Sequence, residues 1–363
     1  MKQRSKQILL APAAAIYRLL TTVRNKCYDW GVCASIAFPF PVISIGNITV
    51  GGTGKTPHTE KVVAMLRDKR KIAVLSRGYK RTTRAFRYVS PTDAFQAVGD
   101  EPLQIKRKFP DIPVAVDRRR VDGIRRLKAD DHAIDVVILD DAFQHRQVRP
   151  ALSILLIDYS RPLWDDALLP LGRLRESSRG AMRADVIIVT KCPGDLSFAA
   201  QQTLAARMPR NLFDGLFFTT IVYGEAVPVF PDADPAPAAA GECLLLTGVA
   251  NPAPLVDHLT ATDRRPLAHL AFADHHAFTP ADVHEINSTA LRYPRRPFYT
   301  TEKDAMRLLD AAGLSDDVRQ RLYYIPITVR FLSTLQEVIF KNRLMAKIDP
   351  QYSPAIKNRT PWK

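Results

Sequence analysis

The stretch Val42 to Thr56, VISIGNITVGGTGKT, constrains this chain more than any other. Val42, Ile43, Ser44 and Ile45 read as a short buried strand. Gly46, Gly51, Gly52 and Gly54 then make a flexible loop, and Lys55 and Thr56 open a helical run. Strand, glycine cluster, Lys-Thr and helix in that order make a phosphate-binding loop. The glycines let backbone N–H groups wrap an anion, and the helix beginning at Lys55 adds its positive dipole end. Lys55 supplies a mobile cation and Thr56 a hydroxyl for Mg²⁺. The usual pattern asks for glycine where Thr49 stands, but the GGTGKT core is intact. Thr49, Val50, Gly51, Gly52, Thr53, Gly54, Lys55 and Thr56 are therefore the expected contacts of ATP or GTP.

A chain of 363 residues is long enough for two lobes. Its formal charge of +15 points to an anionic partner, which is a nucleic acid, an acidic membrane surface or a phosphorylated substrate. Cys27, Cys33, Cys192 and Cys243 lack C-x-x-C spacing, so they signal neither a zinc site nor a disulfide framework, and a reducing compartment is expected.

The N-terminus carries an apolar stripe of Leu9, Leu10, Ile16, Tyr17, Leu19, Leu20 and Val23 among Lys2, Arg4, Lys6, Arg18, Arg24 and Lys26. Pro12 and Arg18 interrupt it, leaving fewer than the ~18 apolar residues that a membrane span needs. A cleaved signal peptide is not expected, because the phosphate loop follows so closely. The stripe fits an interfacial helix on an anionic leaflet and a helix packed on the protein's own core equally well.

The remaining punctuation describes a sheet with helices on both faces. Strands are expected around Val42, Ile72, Val114, Val136, Ile154 and Val186, with helical segments between several of them. Ser76, Arg77 and Gly78 follow the second strand, at the carboxyl ends where ligands sit in open α/β sheets. From Lys69 to Arg87 there are eight basic residues and no acid. Asp100 opens a helical run, a position where a carboxylate is more often a cap than a catalyst.

Asp140 and Asp141 end a buried strand, an adjacency easier to explain beside a divalent cation than without one. Thr190-Lys191 lies where many such enzymes contact the base. DADPAPAAAG, from Asp232 to Gly241, marks a linker. Beyond it, Asp274-His275-His276 suits a histidine tuned by a carboxylate better than a metal site, because adjacent side chains diverge and no third ligand is apparent. A histidine that only fixes its loop is the other reading.

Taken in order, GNITVGGTGKTP, LSRGY, GDEP, DDAFQHR, LGRLRE, TKCP, TGVANP, ADHHAF and TEKDAMRL resemble the tetraacyldisaccharide 4′-kinase family, the lipid A 4′-kinases, over roughly residues 8–345. The resemblance implies transfer of the ATP γ-phosphate to the 4′-hydroxyl of a tetraacylated disaccharide 1-phosphate, with Mg²⁺, on the cytoplasmic face of a Gram-negative inner membrane. By position it implies Asp100 as the base, His275 as its dyad partner and Lys55 as the phosphate ligand. It also implies Thr56, Asp140, Asp141 and Glu176 around the metal, and Ser76, Arg77, Gly78, Arg120, Gln144, His145 and Arg146 against the lipid.

The expected fold is a P-loop NTPase-like, doubly wound, mainly parallel α/β sheet with a smaller α/β lobe and an N-terminal amphipathic helix. Its expected parts are a membrane-associating helix (1–28), a kinase core (29–220), a linker (221–241), a C-terminal lobe (242–347) and a basic tail (348–363). The cleft between lobes is expected to close around substrate to bring Asp100 and His275 together. Two rivals fit worse. A phosphate-loop switch or partitioning ATPase would want lysine where Val50 stands and has no role for Asp-His-His. A nucleic-acid-binding protein explains the charge alone, and no nucleic-acid motif is visible.

Overall fold

A computed structural model of the chain describes residues 2–208, 215–231, 233, 240–349 and 351–352, with side chains from residue 10 onward. The basic side chains at the extreme N-terminus, most of the Pro/Ala linker and all of the tail beyond residue 352 lie outside the described residues.

The chain opens with helix α1 (Lys2–Asp29), then β1 (Val42–Gly46), α2 (Lys55–Leu66), β2 (Ile72–Ser76), β3 (Arg87–Tyr88), α3 (Phe95–Val98), α4 (Asp100–Lys108), β4 (Val114–Val116), α5 (Arg120–Asp130) and β5 (Val136–Asp140). It continues through β6 (Leu152–Asp158), β7 (Val186–Thr190), α6 (Phe198–Ala206), β8 (Leu216–Tyr223) and β9 (Val227–Pro228). The second part holds β10 (Gly241–Thr247), α7 (Ala253–Ala261), β11 (Arg264–Ala271), α8 (Pro280–Arg292), β12 (Phe298–Thr301), α9 (Glu302–Leu308), α10 (Asp316–Gln320) and β13 (Leu322–Ile325). The last elements are β14 (Ile327–Phe331) and α11 (Thr334–Ile348).

All six expected strand centres fall in strands of one sheet of order β14-β8-β7-β6-β1-β5-β2-β4-β3, parallel except for its edge strands β3 and β14. Because helices cover both faces, each inner strand is a continuous apolar run that sorts by alternation. Ile43, Ile45, Val74, Ile138 and Ile154 face Val62, Val63 and Leu66 of α2. Val42, Ala73, Leu75, Val137 and Leu139 face Ile124 and Leu127 of α5. Full burial of each such isoleucine or leucine contributes up to about 3 kcal/mol. The chain builds outward from β1 to β2 and β4, returns to β5 and then builds β6, β7 and β8 on the other side. The reversal puts the topological switch point, and hence the ligand crevice, at the carboxyl end of β1.

The second sheet has order β11-β10-β12-β13-β9. Two features depart from the expected sequential division. The strand β8, LFFTTIVY, runs across residue 221, where the linker was expected to begin. After β13 the chain turns at Pro326 and comes back: β14 pairs antiparallel with β8, and Phe331 and Phe340 of the final elements pack edge-to-face with Phe217. The smaller lobe is thus joined to the core by two neighbouring passages, tied where the Gly224 N–H donates to the Pro326 carbonyl at 2.8 Å.

Candidate active site

Loop geometry at the end of β1 follows from local chemistry. Gly54 takes φ +81°, the left-handed region that favours glycine, and lets the chain turn into α2. A side chain at Gly46 would meet the Phe143 backbone nitrogen at 2.8 Å, so the turn after β5 can lie directly on the strand end. Asn47 Nδ2 donates to Thr53 Oγ1 at 2.7 Å, and the Thr190 hydroxyl donates to the Thr53 carbonyl at 3.0 Å. The Val50 N–H donates to the Arg173 carbonyl and the Arg175 N–H to the Ile48 carbonyl, at 2.8 and 2.7 Å, so the LGRLRE segment lines the loop like an extra strand.

Lys191 does not reach outward toward a base. Its ammonium sits 2.9 Å from Asp158 and also donates to the Gly52 carbonyl, supporting the loop from beneath. His58 is fully buried between the Gly54 carbonyl and the Thr219 hydroxyl, and burial pushes its pKa down to about 4.

Lys55 Nζ stands 3.8 Å from Asp141, whose carboxylate also faces Arg175 at 3.3 Å. Burial works against ionisation of Asp141, and Lys55 and Arg175 more than offset it, holding its pKa below the usual value. Asp140 differs. It is fully buried, accepts from Thr59 Oγ1 at 3.0 Å, and is pushed up to about 7 by burial and by repulsion from Glu101 and Asp141. Mutually repelling carboxylates beside a single lysine, with the Thr56 hydroxyl in the adjacent helical turn, are hard-oxygen donors suited to Mg²⁺, which commonly takes one or two carboxylates plus phosphate and water.

Glu176 is placed elsewhere. Both of its oxygens lie 2.8 Å from Arg183, and it accepts from Gln144 at 3.1 Å and from Asn25 of α1 at 2.9 Å. Its carboxylate is fully engaged as a tie to the N-terminal helix. Among the described residues, no group of three or more acidic, histidine or cysteine side chains is arranged around a cation position.

Asp100 and His275, 175 residues apart, are in hydrogen-bond contact, with His275 Nδ1 2.9 Å from Asp100 Oδ2. The expected cleft closure is therefore not needed to assemble the pair, because α9 already packs its polar face against α4. Asp100 is 4% exposed and also faces Arg307 Nε at 3.6 Å. Burial would raise its pKa, but the His275 hydrogen bond, Lys303 and Arg307 outweigh burial and hold it at about 2. The His275 backbone takes φ +57°, the left-handed region uncommon outside glycine, and its imidazole meets α4 at Asp100. Arg307 keeps this loop in place by donating to the carbonyls of Gly248 and His276 at 3.0 and 3.1 Å. Behind the pair, Lys108 of α4 bridges Glu60 of α2 at 2.7 Å and Glu302 of α9 at 3.2 Å.

The seven residues expected against substrate are held in different states. Arg77 is exposed, and Ser76 Oγ donates to Asp140 at 3.4 Å. Gly78 is buried in the turn that follows. Arg120 is 2% exposed and donates to the carbonyls of Asp117 and Asp140, so it backs the acid pair from within. Gln144 donates to the Asn47 carbonyl at 2.6 Å, and Arg146 holds Asn25 and Asp29 of α1 at 2.7 Å each. His145 is pushed down to about 4, first by burial and then by Arg120, Arg24 and Arg77. Arginines from α1, α5 and the turn after β2 therefore set up a positive field there. The sequence reading did not assign Lys303 or Arg307, although both lie in the TEKDAMRL stretch and their i, i+4 spacing places them on one helical face.

Helix α1 docks through its polar side. Tyr17 donates to the Arg175 carbonyl at 2.8 Å, and Arg24 to the Gln144 carbonyl at 2.9 Å. Ile16, Leu19, Leu20 and Val23 are 61, 63, 63 and 52% exposed. Among the described residues no helix is long and apolar enough to cross a membrane.

A family model described as tetraacyldisaccharide-1-P 4′-kinase matches residues 6–348. A Phocaeicola vulgatus protein named tetraacyldisaccharide 4′-kinase is 43% identical over 342 residues, covering 92% of this chain and 93% of that one. A Bacteroides thetaiotaomicron protein of the same name is 43% identical over 343 residues, covering 90% of each. The crystal structure of LpxK from Aquifex aeolicus in complex with ATP shares the fold, with a TM-score of 0.73 and 24% identity, covering 96% of this chain and all of that one.

Proposed function

The chain belongs to the tetraacyldisaccharide-1-P 4′-kinase family, and from that premise we propose how its own residues perform the transfer. It is an ATP-dependent kinase of lipid A biosynthesis that phosphorylates the 4′-hydroxyl of tetraacyldisaccharide 1-phosphate. The contact that supports the mechanism most is the 2.9 Å hydrogen bond between His275 and Asp100, made beside the phosphate loop.

Backbone N–H groups of Gly51, Gly52 and Gly54 and the start of α2 cradle the ATP phosphates, and Lys55 offsets charge on the β- and γ-phosphoryl oxygens. Thr56, Asp140 and Asp141 would hold Mg²⁺, which supplies further neutralisation of that charge. Asp100, fixed by His275, accepts a hydrogen bond from the sugar hydroxyl and takes its proton as the new O–P bond forms. The bond from the γ-phosphorus to the β-phosphate oxygen breaks, and its electron pair leaves with ADP. A carboxylate held at about 2 is a weak base. It therefore acts mainly by aiming the hydroxyl and receives the proton late, in keeping with phosphoryl transfer as a matter of position and charge. Arg24 and Arg77, near His145, present the positive field that draws an anionic disaccharide phosphate.

We read the outward leucines and isoleucine of α1 as an anchor for the interface of an anionic membrane, with the enzyme working as a peripheral protein on the cytoplasmic face of the inner membrane. Tyr17, Arg24 and Asn25 on the face turned to the protein support lipid over the chain's own core as the partner of the stripe. The deciding assay incubates the protein with γ-labelled ATP, Mg²⁺ and tetraacyldisaccharide 1-phosphate. Label in the organic extract is the expected result, and label released only as free phosphate would make the chain an ATPase switch instead.

A further inference from the structure

Helix α9 places two cations on the face turned to the Asp100–His275 pair, and they do different things. Arg307 is 1% exposed, spends its guanidinium on backbone carbonyls and Asp304, and stands 3.6 Å from Asp100. Lys303 instead reaches the imidazole. Its Nζ is 3.0 Å from His275 Nε2 and 3.3 Å from Glu101.

The hydrogen-bond inventory leaves one consistent arrangement. An ammonium has three donors and no acceptor, so Nε2 of His275 must be the acceptor of that contact. The other ring nitrogen, Nδ1, must then carry the hydrogen that it donates to Asp100. We propose that Lys303 is a positioning residue for the transfer, locking His275 as the neutral Nδ1–H tautomer so that its only role toward Asp100 is to donate. This rests on the assignment of Asp100 as base made above.

Protonation of Lys303 is secured by its surroundings. Burial opposes its charge, but Glu101, Asp100 and Asp274 favour it more strongly and raise its pKa. The charged and titratable groups facing the ring are Asp100 on α4, Lys303 with Arg307 beyond it on α9, Asp274 at 4.0 Å on its own loop, and Tyr79, whose ring centroid lies 5.1 Å away. Glu101 reaches the ring only through Lys303.

Two consequences separate this from a merely structural lysine. With Nε2 accepting from an ammonium, the hydrogen shared with Asp100 is held on Nδ1. Asp100 also keeps its remaining lone pairs for the sugar hydroxyl, because the ring cannot compete for that proton at Nδ1. In Lys303→Met both the tautomer lock and a cation that lowers the Asp100 pKa are lost.

The experiment combines long-range ¹⁵N–¹H spectra of ¹⁵N-histidine-labelled protein with kcat–pH profiles for the parent, Lys303→Met and Lys303→Arg; His275→Gln identifies the His275 signals. The parent is expected to show His275 protonated at Nδ1 and bare at Nε2. Lys303→Met should lose that single tautomer, drop kcat by about 10- to 100-fold, and lose activity at a higher pH on the acidic side than the parent. Lys303→Arg, which keeps the cation and a donor, should recover the tautomer and most of the acidic limb. A parent spectrum with the proton on Nε2 overturns the proposal even if Lys303→Met does not fold. So does a folded Lys303→Met that keeps the parent's tautomer and pH limb. A parent that transfers no label to lipid would instead sink the kinase mechanism, whatever the spectrum shows.

Discussion

If Asp100 and His275 act as one unit, their losses must not multiply. Their bond is a charge-assisted contact of 2.9 Å between groups 4% and 17% exposed on the side chain, a setting in which such bonds contribute about 1.5–3 kcal/mol. At 1.4 kcal/mol for each factor of ten, His275→Ala should lower kcat by about 10- to 100-fold. Asp100→Ala removes the base itself and should cost ~10²-fold or more. Independent contributions would make the double variant at least ~10³-fold slower, whereas a working pair leaves it close to the worse single variant.

The pH dependence has a definite sign. The His275 hydrogen bond is the leading influence that lowers Asp100 against the opposing effect of burial, so its removal raises the carboxylate's proton affinity and moves the acidic limb of kcat to higher pH. The same linkage applies to stability. Because Asp100 is held at about 2, below its ordinary 3.8, the stabilisation from ionised Asp100 is present above about pH 4 and disappears as pH falls toward 2. His275→Ala should therefore lower the melting temperature at pH 7 and matter much less near pH 2. Initial rates at saturating ATP and lipid in mixed micelles, with circular dichroism melts on each variant, measure all of this. Fully multiplicative losses, with an unmoved acidic limb, would refute the pair.

Asp140→Asn should trade function for stability. Asp140 is pushed up to about 7, so the folded state holds its proton more tightly than the unfolded chain does. Ionised Asp140 therefore destabilises the fold increasingly as pH rises toward 7. At pH 8 without Mg²⁺ the variant should melt no lower than the parent, yet lack the parent's rise in melting temperature with Mg²⁺ and ATP; a rise equal to the parent's would remove Asp140 from the metal site. Leu19→Ser with Leu20→Ser changes two side chains that are each 63% exposed, and burying a leucine in lipid contributes about 1.5 kcal/mol or more. Binding to anionic vesicles should fall at least ~10-fold while the ATP KM holds; unchanged vesicle binding would exclude this face as the anchor. Glu176→Gln should leave the Mg²⁺ concentration for half-maximal rate unchanged and raise KM for the lipid, because Glu176 ties α1 to Gln144 and Arg183. A changed Mg²⁺ requirement would return Glu176 to the metal.

Local chemistry determined a good part of this protein in the sequence alone. The Gly-rich turn into Lys55 and Thr56 needs only short-range steric freedom and a helix N-terminus. The strands at Val42, Ile72, Val114, Val136, Ile154 and Val186 are buried on both faces, and continuous β-branched runs carry that signal. The ordered motifs also carried the family, because each is a short run whose residues follow one another in the chain.

Tertiary structure decided what depends on which side chains meet. The resemblance implies Glu176 in the acidic set around the metal, and the fold sets its carboxylate against Asn25, Gln144 and Arg183. Thr190-Lys191 reads as a contact of the base, whereas the fold turns the Lys191 ammonium to Asp158 and the Gly52 carbonyl. β14 and α11 read as part of the later lobe, yet they return to the first sheet, because the antiparallel pairing of Ile327–Phe331 with Thr219–Tyr223 spans about a hundred residues. Lys303 is one lysine among many until the loop at His275, with its positive φ, lays the imidazole 3.0 Å from it. The physical reason is the same in each case: propensity and periodicity are encoded within a few residues, whereas charge pairing and pKa arise from groups that only the folded chain brings within 4 Å of one another.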